Sequence, residues 1–315
     1  MVQTALSVAA IAAGVAAIVW GAETFAEHLA AASARLGVSA FALALLLAGA
    51  EPEELATTVT ASLRGVPAIA FGDVVGANVA MCTVALGVAA LLASVPFGPR
   101  VRRYGLLALP TGAVAAAVAW DGRVGRLEGA LLVGLYVGYV AAIWLAERQP
   151  PALGEVGELA DARTGGSRIG RDLLLVIAGL IAMAVGAAVL VEAVRTLSRV
   201  EQIQTRLGLT VVGFATAFEL VVLAVAASRR RMTDTVLAGV IGSYAYNATM
   251  SLGAGALARP LQLLDATQLR PPLLAMVGAL AAVLALALPS GSLTRSGGAI
   301  LLAAYAGFII MVLTI

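Results

Sequence analysis

Four glutamates interrupt runs of residues that are otherwise almost entirely apolar. Glu51, Glu53 and Glu54 lie in Ala48-Gly49-Ala50-Glu51-Pro52-Glu53-Glu54, and Glu219 lies in Phe214-Ala215-Thr216-Ala217-Phe218-Glu219. A charged side chain at the centre of a bilayer costs about 2.5–3.5 kcal/mol on insertion scales. Such a carboxylate persists where it faces a water-filled cavity, binds a cation or holds a proton. Carboxylates with hydroxyl and main-chain carbonyl oxygens form the donor set of a hard cation such as Ca²⁺. Pro52 removes an amide and clashes with the preceding turn, so the helix is expected to break just before Glu53. A broken helix frees carbonyl oxygens at the end of its first half, and those suit a cation. Glu54 follows Glu53 about 100° round a helix and Glu51 lies about 200° away, so a regular helix cannot bring all three to one ion. The segment around Glu219 has no proline; its Thr216 hydroxyl either adds a ligand or bonds back to its own helix.

Other polar residues fall inside apolar runs. Asp73 and Asn78 belong to Gly72-Asp73-Val74-Val75-Gly76-Ala77-Asn78, and Ser243 and Asn247 to a related stretch that begins Ala238-Gly239-Val240-Ile241-Gly242. Ser243 and Asn247 are four residues apart and share one helical face, which serves either a shared ion site or an interhelical hydrogen bond. The glycines allow helices to approach closely in lipid. Glu23, Glu27 and Glu192 fall near the ends of apolar runs, where a solvated position is cheap. His28 is the single histidine and reads as an interfacial residue near the end of the first helix. Cys82 is the single cysteine and reads as a small apolar side chain. Neither a histidine metal site nor a disulfide framework can be assembled.

The elements that carry these residues follow from composition. Of 315 residues, 61% are hydrophobic and 12% charged, with a mean hydropathy of +0.99; soluble domains carry about 25% charged residues. Crossing a bilayer as a helix takes about 20 residues, and about ten apolar runs meet that length: 4–24, 39–63, 67–95, 104–120, 126–146, 172–194, 206–228, 233–258, 271–289 and 297–315. Runs this long and uniform must be helices, because lipid offers backbone amides no partner. The chain is therefore expected to be an all-α integral membrane protein. The first run has no basic residue ahead of it and is too long for a signal sequence. Every basic residue is arginine, and no basic run suits nucleic acid; the densest cluster, Arg229 to Arg231, suits a loop facing anionic headgroups.

A polar stretch, 148–171, divides the chain into halves of five helices, 1–147 and 172–315. With an odd number in each, an internal repeat must be inverted. An offset of 166 residues aligns Glu53 with Glu219, Ser62 with Ser228, Arg64 with Arg230, Gly76 with Gly242 and Gly87 with Gly253. Broken helices at equivalent positions would then meet at the centre. Loop arginines number twelve on the side of the central stretch and eight on the other, which favours a cytoplasmic central loop and both termini outside.

At these residues the chain resembles the cation/calcium exchanger superfamily, which includes sodium/calcium and proton/calcium exchangers. Gly49-Ala50-Glu51-Pro52-Glu53 is similar to that superfamily's first-repeat signature, and the stretches from Gly72 to Asn78 and from Val240 to Ser243 resemble the later glycine and asparagine signature. The resemblance implies that Glu53 and Glu219 are the central ion ligands and that Thr216, Ser243 and Asn247 flank them. It also implies that the first and sixth helices slide past a core of the others. The chain departs from sodium-coupled members, which place a Thr-Ser pair ahead of each Glu. Here Gly49-Ala50 and Ala215-Thr216 stand there, and the first-repeat Ser and Asn positions are Ala77 and Met81. Proton coupling needs no such extra ligands. The function expected is a secondary antiporter, without cofactor, exchanging Ca²⁺ for protons or monovalent cations in a bacterial or archaeal cell membrane. The candidate ligands are Glu53, Glu219, Thr216, Asn247, Ser243, Asn78, Asp73 and Glu54. Competing readings are a monovalent cation/proton antiporter and a non-transporting sensor or scaffold on the same fold. An intramembrane hydrolase lacks the necessary nucleophile and base.

Overall fold

The computed structural model describes residues 2–36, 51–147, 169–229 and 233–315. Helix α1 spans Val2–Leu36 and α2 spans Pro52–Leu63. Helix α3, Pro67–Leu92, contains a π-helical turn at Met81–Ala85. Helices α4, Pro99–Val118, and α5, Arg126–Glu147, complete the first half. The second half begins with α6, Ile169–Leu197. Helix α7, 201–216, contains a π-helical turn at Gly208–Val212, and α8, Phe218–Arg229, follows the turn at Ala217. Helix α9, 233–258, contains a π-helical turn at Tyr246–Ser251. Helices α10, Arg270–Ala287, and α11, Arg295–Thr314, close the chain.

The protein is a helical membrane protein: among the described residues, seven helical stretches are long and apolar enough to cross a bilayer. Most expected runs lie within a few residues of observed helices. The first is longer than expected, and residues 37–50, which carry Gly49 and Ala50, lie outside the described residues. So do 148–168 of the polar stretch and Arg230 and Arg231; residues 169–171 of that stretch open α6. Helices α2, α3 and α4 each begin at a proline, where the missing amide would have no intrahelical partner anyway.

Two short antiparallel ladders, not anticipated, join loops of the two halves. Strand β1, Val95–Pro96, pairs with β4, Ser292–Leu293, and β2, Arg123–Val124, pairs with β3, Leu261–Gln262. Helix α4 connects β1 to β2, and its 20 residues span about 30 Å, so the ladders lie at opposite ends of the helical body.

Helices α1 and α6 pack on one another through glycines. A Cβ on Gly14 would lie 2.8 Å from Gly186 O, and one on Gly21 would lie 2.7 Å from Gly179 O. Numbers rise along α1 as they fall along α6, so the pair is antiparallel. Helix α3 is the most enclosed of the apolar spans, and it meets α7 backbone to backbone: a Cβ on Gly72 would lie 2.6 Å from Gly208 Cα. Element starts recur at an offset of 166 residues, from Pro52 to Phe218, Pro67 to Thr233 and Val95 to Leu261.

Candidate cation site

Helix α2 begins at the proline of the first glutamate segment. Glu51 has φ −112° and ψ 83°, outside the helical region, and Pro52 is the first residue of α2. Freed from helical spacing, Glu51 turns its side chain back toward the first turn. One carboxylate oxygen from each of Glu51, Glu53 and Glu54 lies within 4.8 Å of the others, and all three residues are buried. The expectation that these three cannot converge fails because Glu51 precedes the helix. Glu53 and Glu54 occupy the first turn of α2, where the helix dipole favours negative charge.

Helix α9 supplies the facing wall. Ser243 Oγ donates to Glu51 Oε1. Asn247 lies beside Glu54, yet neither its Nδ2 nor its Oδ1 makes a hydrogen bond of good geometry. Both Glu54 oxygens, Thr57 Oγ1 and Ser251 Oγ also lack partners among the described residues. Unsatisfied buried polar atoms are few in native proteins; among the described residues six of the ten lie on α2 and on the π-helical turn of α9, the others being in Asn78, Tyr139, Glu147 and Arg206. Such single-turn π segments recur at functional sites.

Asp73, on α3, stands apart from the three convergent carboxylates and has both oxygens engaged. Thr216 Oγ1 donates to Oδ1 at 3.0 Å and Thr58 Oγ1 to Oδ2 at 3.3 Å. Thr216 therefore turns toward another helix as well as its own, where Val212 O lies 3.2 Å away. Asn78 donates from Nδ2 to Met276 Sδ on α10 at 3.5 Å, while its buried Oδ1 has no partner among the described residues. Glu219 sits half-buried in the first turn of α8, within electrostatic reach of Glu51 and Glu53, outside the 4.8 Å group. The second segment breaks without a proline, at Ala217, in the register that corresponds to Glu51.

Thr57, Thr58 and Ser251 were not anticipated. Their spacing carried the signal: Thr57 and Thr58 follow Glu54 by three and four residues, and Ser251 follows Asn247 by four, each on a shared helical face. His28 lies at the end of the apolar span Thr4–Leu29. Helix α1 continues past it to Leu36, and its Nδ1 lies 3.1 Å from Oδ1 of Asp172, a fully buried residue of α6. Glu192 is exposed and pairs with Arg64 and Arg195.

Among the described residues, ion pairs join Asp172, Glu192 and Glu147 to His28, Arg64, Arg195, Arg100 and Arg103. None reaches Glu51, Glu53, Glu54 or Asp73. Among the described residues, these four buried acids thus have no basic side chain to balance them. A profile of the family described as "Sodium/calcium exchanger protein" matches residues 6–145 and 172–314.

This chain belongs to the sodium/calcium exchanger protein family. It is a cation/calcium antiporter of the membrane, a transporter and not an enzyme, and exchangers of this family use no cofactor. The exchanger is 25% identical over 240 residues to the uncharacterised membrane protein MJ0091 of Methanocaldococcus jannaschii, covering 76% of this chain and 75% of that one. It is 29% identical over 223 residues to the inner membrane protein YrbG of Escherichia coli K12, covering 67% of each. Its fold matches the sodium-calcium exchanger NCX_Mj soaked with 10 mM Na⁺ and zero Ca²⁺, at TM-score 0.63 and 22% identity over 98% of this chain and 99% of the other.

Proposed function

We propose that the exchanger moves Ca²⁺ against protons or monovalent cations through a centre formed by Glu53 and Glu219. Glu51, Glu54, Thr216, Ser243, Asn247 and main-chain carbonyls at the breaks complete the oxygen shell, with Asn78 at its edge. The reading rests on one observation: Glu51, Glu53, Glu54 and Asp73 are buried with no basic partner among the described residues. Buried charge without compensation costs several kcal/mol, and a bound cation or proton removes that cost. The site cannot cross the membrane empty and charged, so strict exchange follows. Glu54, with the orphaned oxygens of Thr57 on its own helix and of Asn247 and Ser251 on α9, would offer one charge and several neutral ligands, a composition suited to a monovalent counter-ion beside Ca²⁺.

The halves 1–147 and 172–315 act as inverted repeats in a cell membrane, with both termini outside. The antiparallel α1–α6 pair, the recurrence of element starts and the two separate stretches matched by the family profile support that layout. Helices α1 and α6 are the pair that slides past the remainder.

Ca²⁺ flux into proteoliposomes, driven by a counter-ion gradient, tests the reading. Glu53→Gln and Glu219→Gln are each expected to lower it by more than about tenfold, the equivalent of 1.4 kcal/mol. Undiminished counter-ion-dependent flux in either variant ends the proposal.

A further inference from the structure

Thr216 is the last residue of α7 before the turn at Ala217, and Glu219 follows three residues on. Its hydroxyl has one proton and three acceptors in reach: Asp73 Oδ1 at 3.0 Å, Val212 O at 3.2 Å and Gly213 O at 3.4 Å. The shortest of these leaves its own helix. The other oxygen of Asp73 accepts from Thr58, which lies on α2 one turn beyond Glu54. All three residues are buried. One carboxylate on α3 therefore ties together the two segments that carry the glutamates, beside the crossing where Gly72 meets Gly208. In the 166-residue register Asp73 corresponds to Gly239, so the first half alone supplies the carboxylate of such a tie.

We propose that Asp73 is a positioning residue for cation exchange rather than a ligand. By accepting the hydroxyl protons of Thr216 and Thr58, it holds the end of α7 in register with α2 and leaves the lone pairs of Thr216 for a cation. A hydroxyl carries one donor proton and two acceptor lone pairs, and a carboxylate behind a ligand fixes its orientation, as carboxylates do behind metal-binding histidines. The cation-binding half of this inference rests on the site proposed above; the tie itself does not. Glu54 is the acidic neighbour of Asp73, and it stays in the ligand group.

The test compares Ca²⁺ half-saturation and maximal rate in proteoliposomes for the parent, Asp73→Asn, Asp73→Leu, Thr216→Ser and Thr216→Val. Asp73→Leu removes both acceptors and is expected to raise half-saturation about 10–100-fold, while Asp73→Asn, which keeps an acceptor oxygen, loses less. Thr216→Ser keeps the hydroxyl and is expected to lose less than Thr216→Val. Adding Thr216→Val to Asp73→Leu should cost little more than Asp73→Leu alone, because contacting residues are not additive. The same double-mutant cycle is run on melting temperature in detergent without cation. Equal losses in Asp73→Asn and Asp73→Leu, with an altered ion ratio, would make the Asp73 charge part of the transported load and overturn the proposal. Full additivity in the melting cycle overturns it too. If the parent transports no Ca²⁺, the site reading fails while the melting cycle still decides the tie.

Discussion

Glu54 combines three properties that rarely coexist: complete burial, two unpartnered carboxylate oxygens and no base nearby among the described residues. Buried ionic groups replaced by apolar side chains of similar volume often gain about 1–4 kcal/mol. Glu54→Met is therefore expected to raise the melting temperature of the cation-free protein in detergent. The same change should shrink the stabilisation conferred by Ca²⁺, which for an intact site is about 2.7 kcal/mol at 100-fold above the dissociation constant. A melting temperature lowered without cation would instead mark Glu54 as a structural hydrogen-bonding group. The exceptional acids themselves were legible from composition, because a glutamate inside an apolar run has few acceptable roles. Their partners were not. The convergence of Glu51 with Glu53 and Glu54 depends on a non-helical φ and ψ at one residue, and helical spacing argued against it. The bond between Thr216 and Asp73 joins residues 143 apart, a contact no local pattern encodes.

Helix breaks and close crossings set the geometry that these side chains need. The helix start before Glu53 was readable from Pro52; the break at Ala217 was not, since no proline marks it, and only the 166-residue register places it. That second break also limits what the proline does. Pro52 is the first residue of its helix, a position that tolerates the missing amide, and Ala217 turns without it. Pro52→Ala is therefore expected to cost less than about 1 kcal/mol of stability, on the scale of a propensity change, and to keep the Ca²⁺-dependent thermal shift. Loss of that shift would show that the proline itself enforces the break. The π-helical turns share a feature that lay unread in the sequence. Thr83, Thr210 and Thr249 each sit within one and donate to the carbonyl four residues back, in Val79, Arg206 and Ala245. Close crossings make the opposite demand on side-chain size. Gly72→Ala would place its methyl 2.6 Å from Gly208 Cα, a backbone atom that cannot swing aside, whereas Gly98 has nothing within 4 Å. Overpacking costs about 1–3 kcal/mol, so Gly72→Ala is expected to lower the melting temperature clearly more than Gly98→Ala. Equal shifts would mean that α3 and α7 can separate without penalty.

Across the whole molecule, the two ladders mark opposite ends, so they give a test of how the protein lies in the membrane. The β1–β4 end carries Arg100 and Arg103, both paired with Glu147, and Arg295 at the start of α11. The β2–β3 end carries Arg270, whose guanidinium lies 5.6 Å over the ring of Trp120, an aromatic anchor of the kind that favours the membrane–water boundary. The orientation expected from the arginine bias puts the first end in the cytoplasm and the second outside. Ser290 is exposed in the loop before β4, and Leu264 is 90% exposed in the loop after β3. Cys82, the single cysteine, is buried, so a thiol introduced at either site reports alone. In whole cells a membrane-impermeant maleimide is expected to modify Leu264→Cys but to reach Ser290→Cys only after permeabilisation. The reverse pattern would invert the orientation and keep the architecture. Modification of both from one side would contradict the separation of the ladders, and with it the passage of α4 across the bilayer between them.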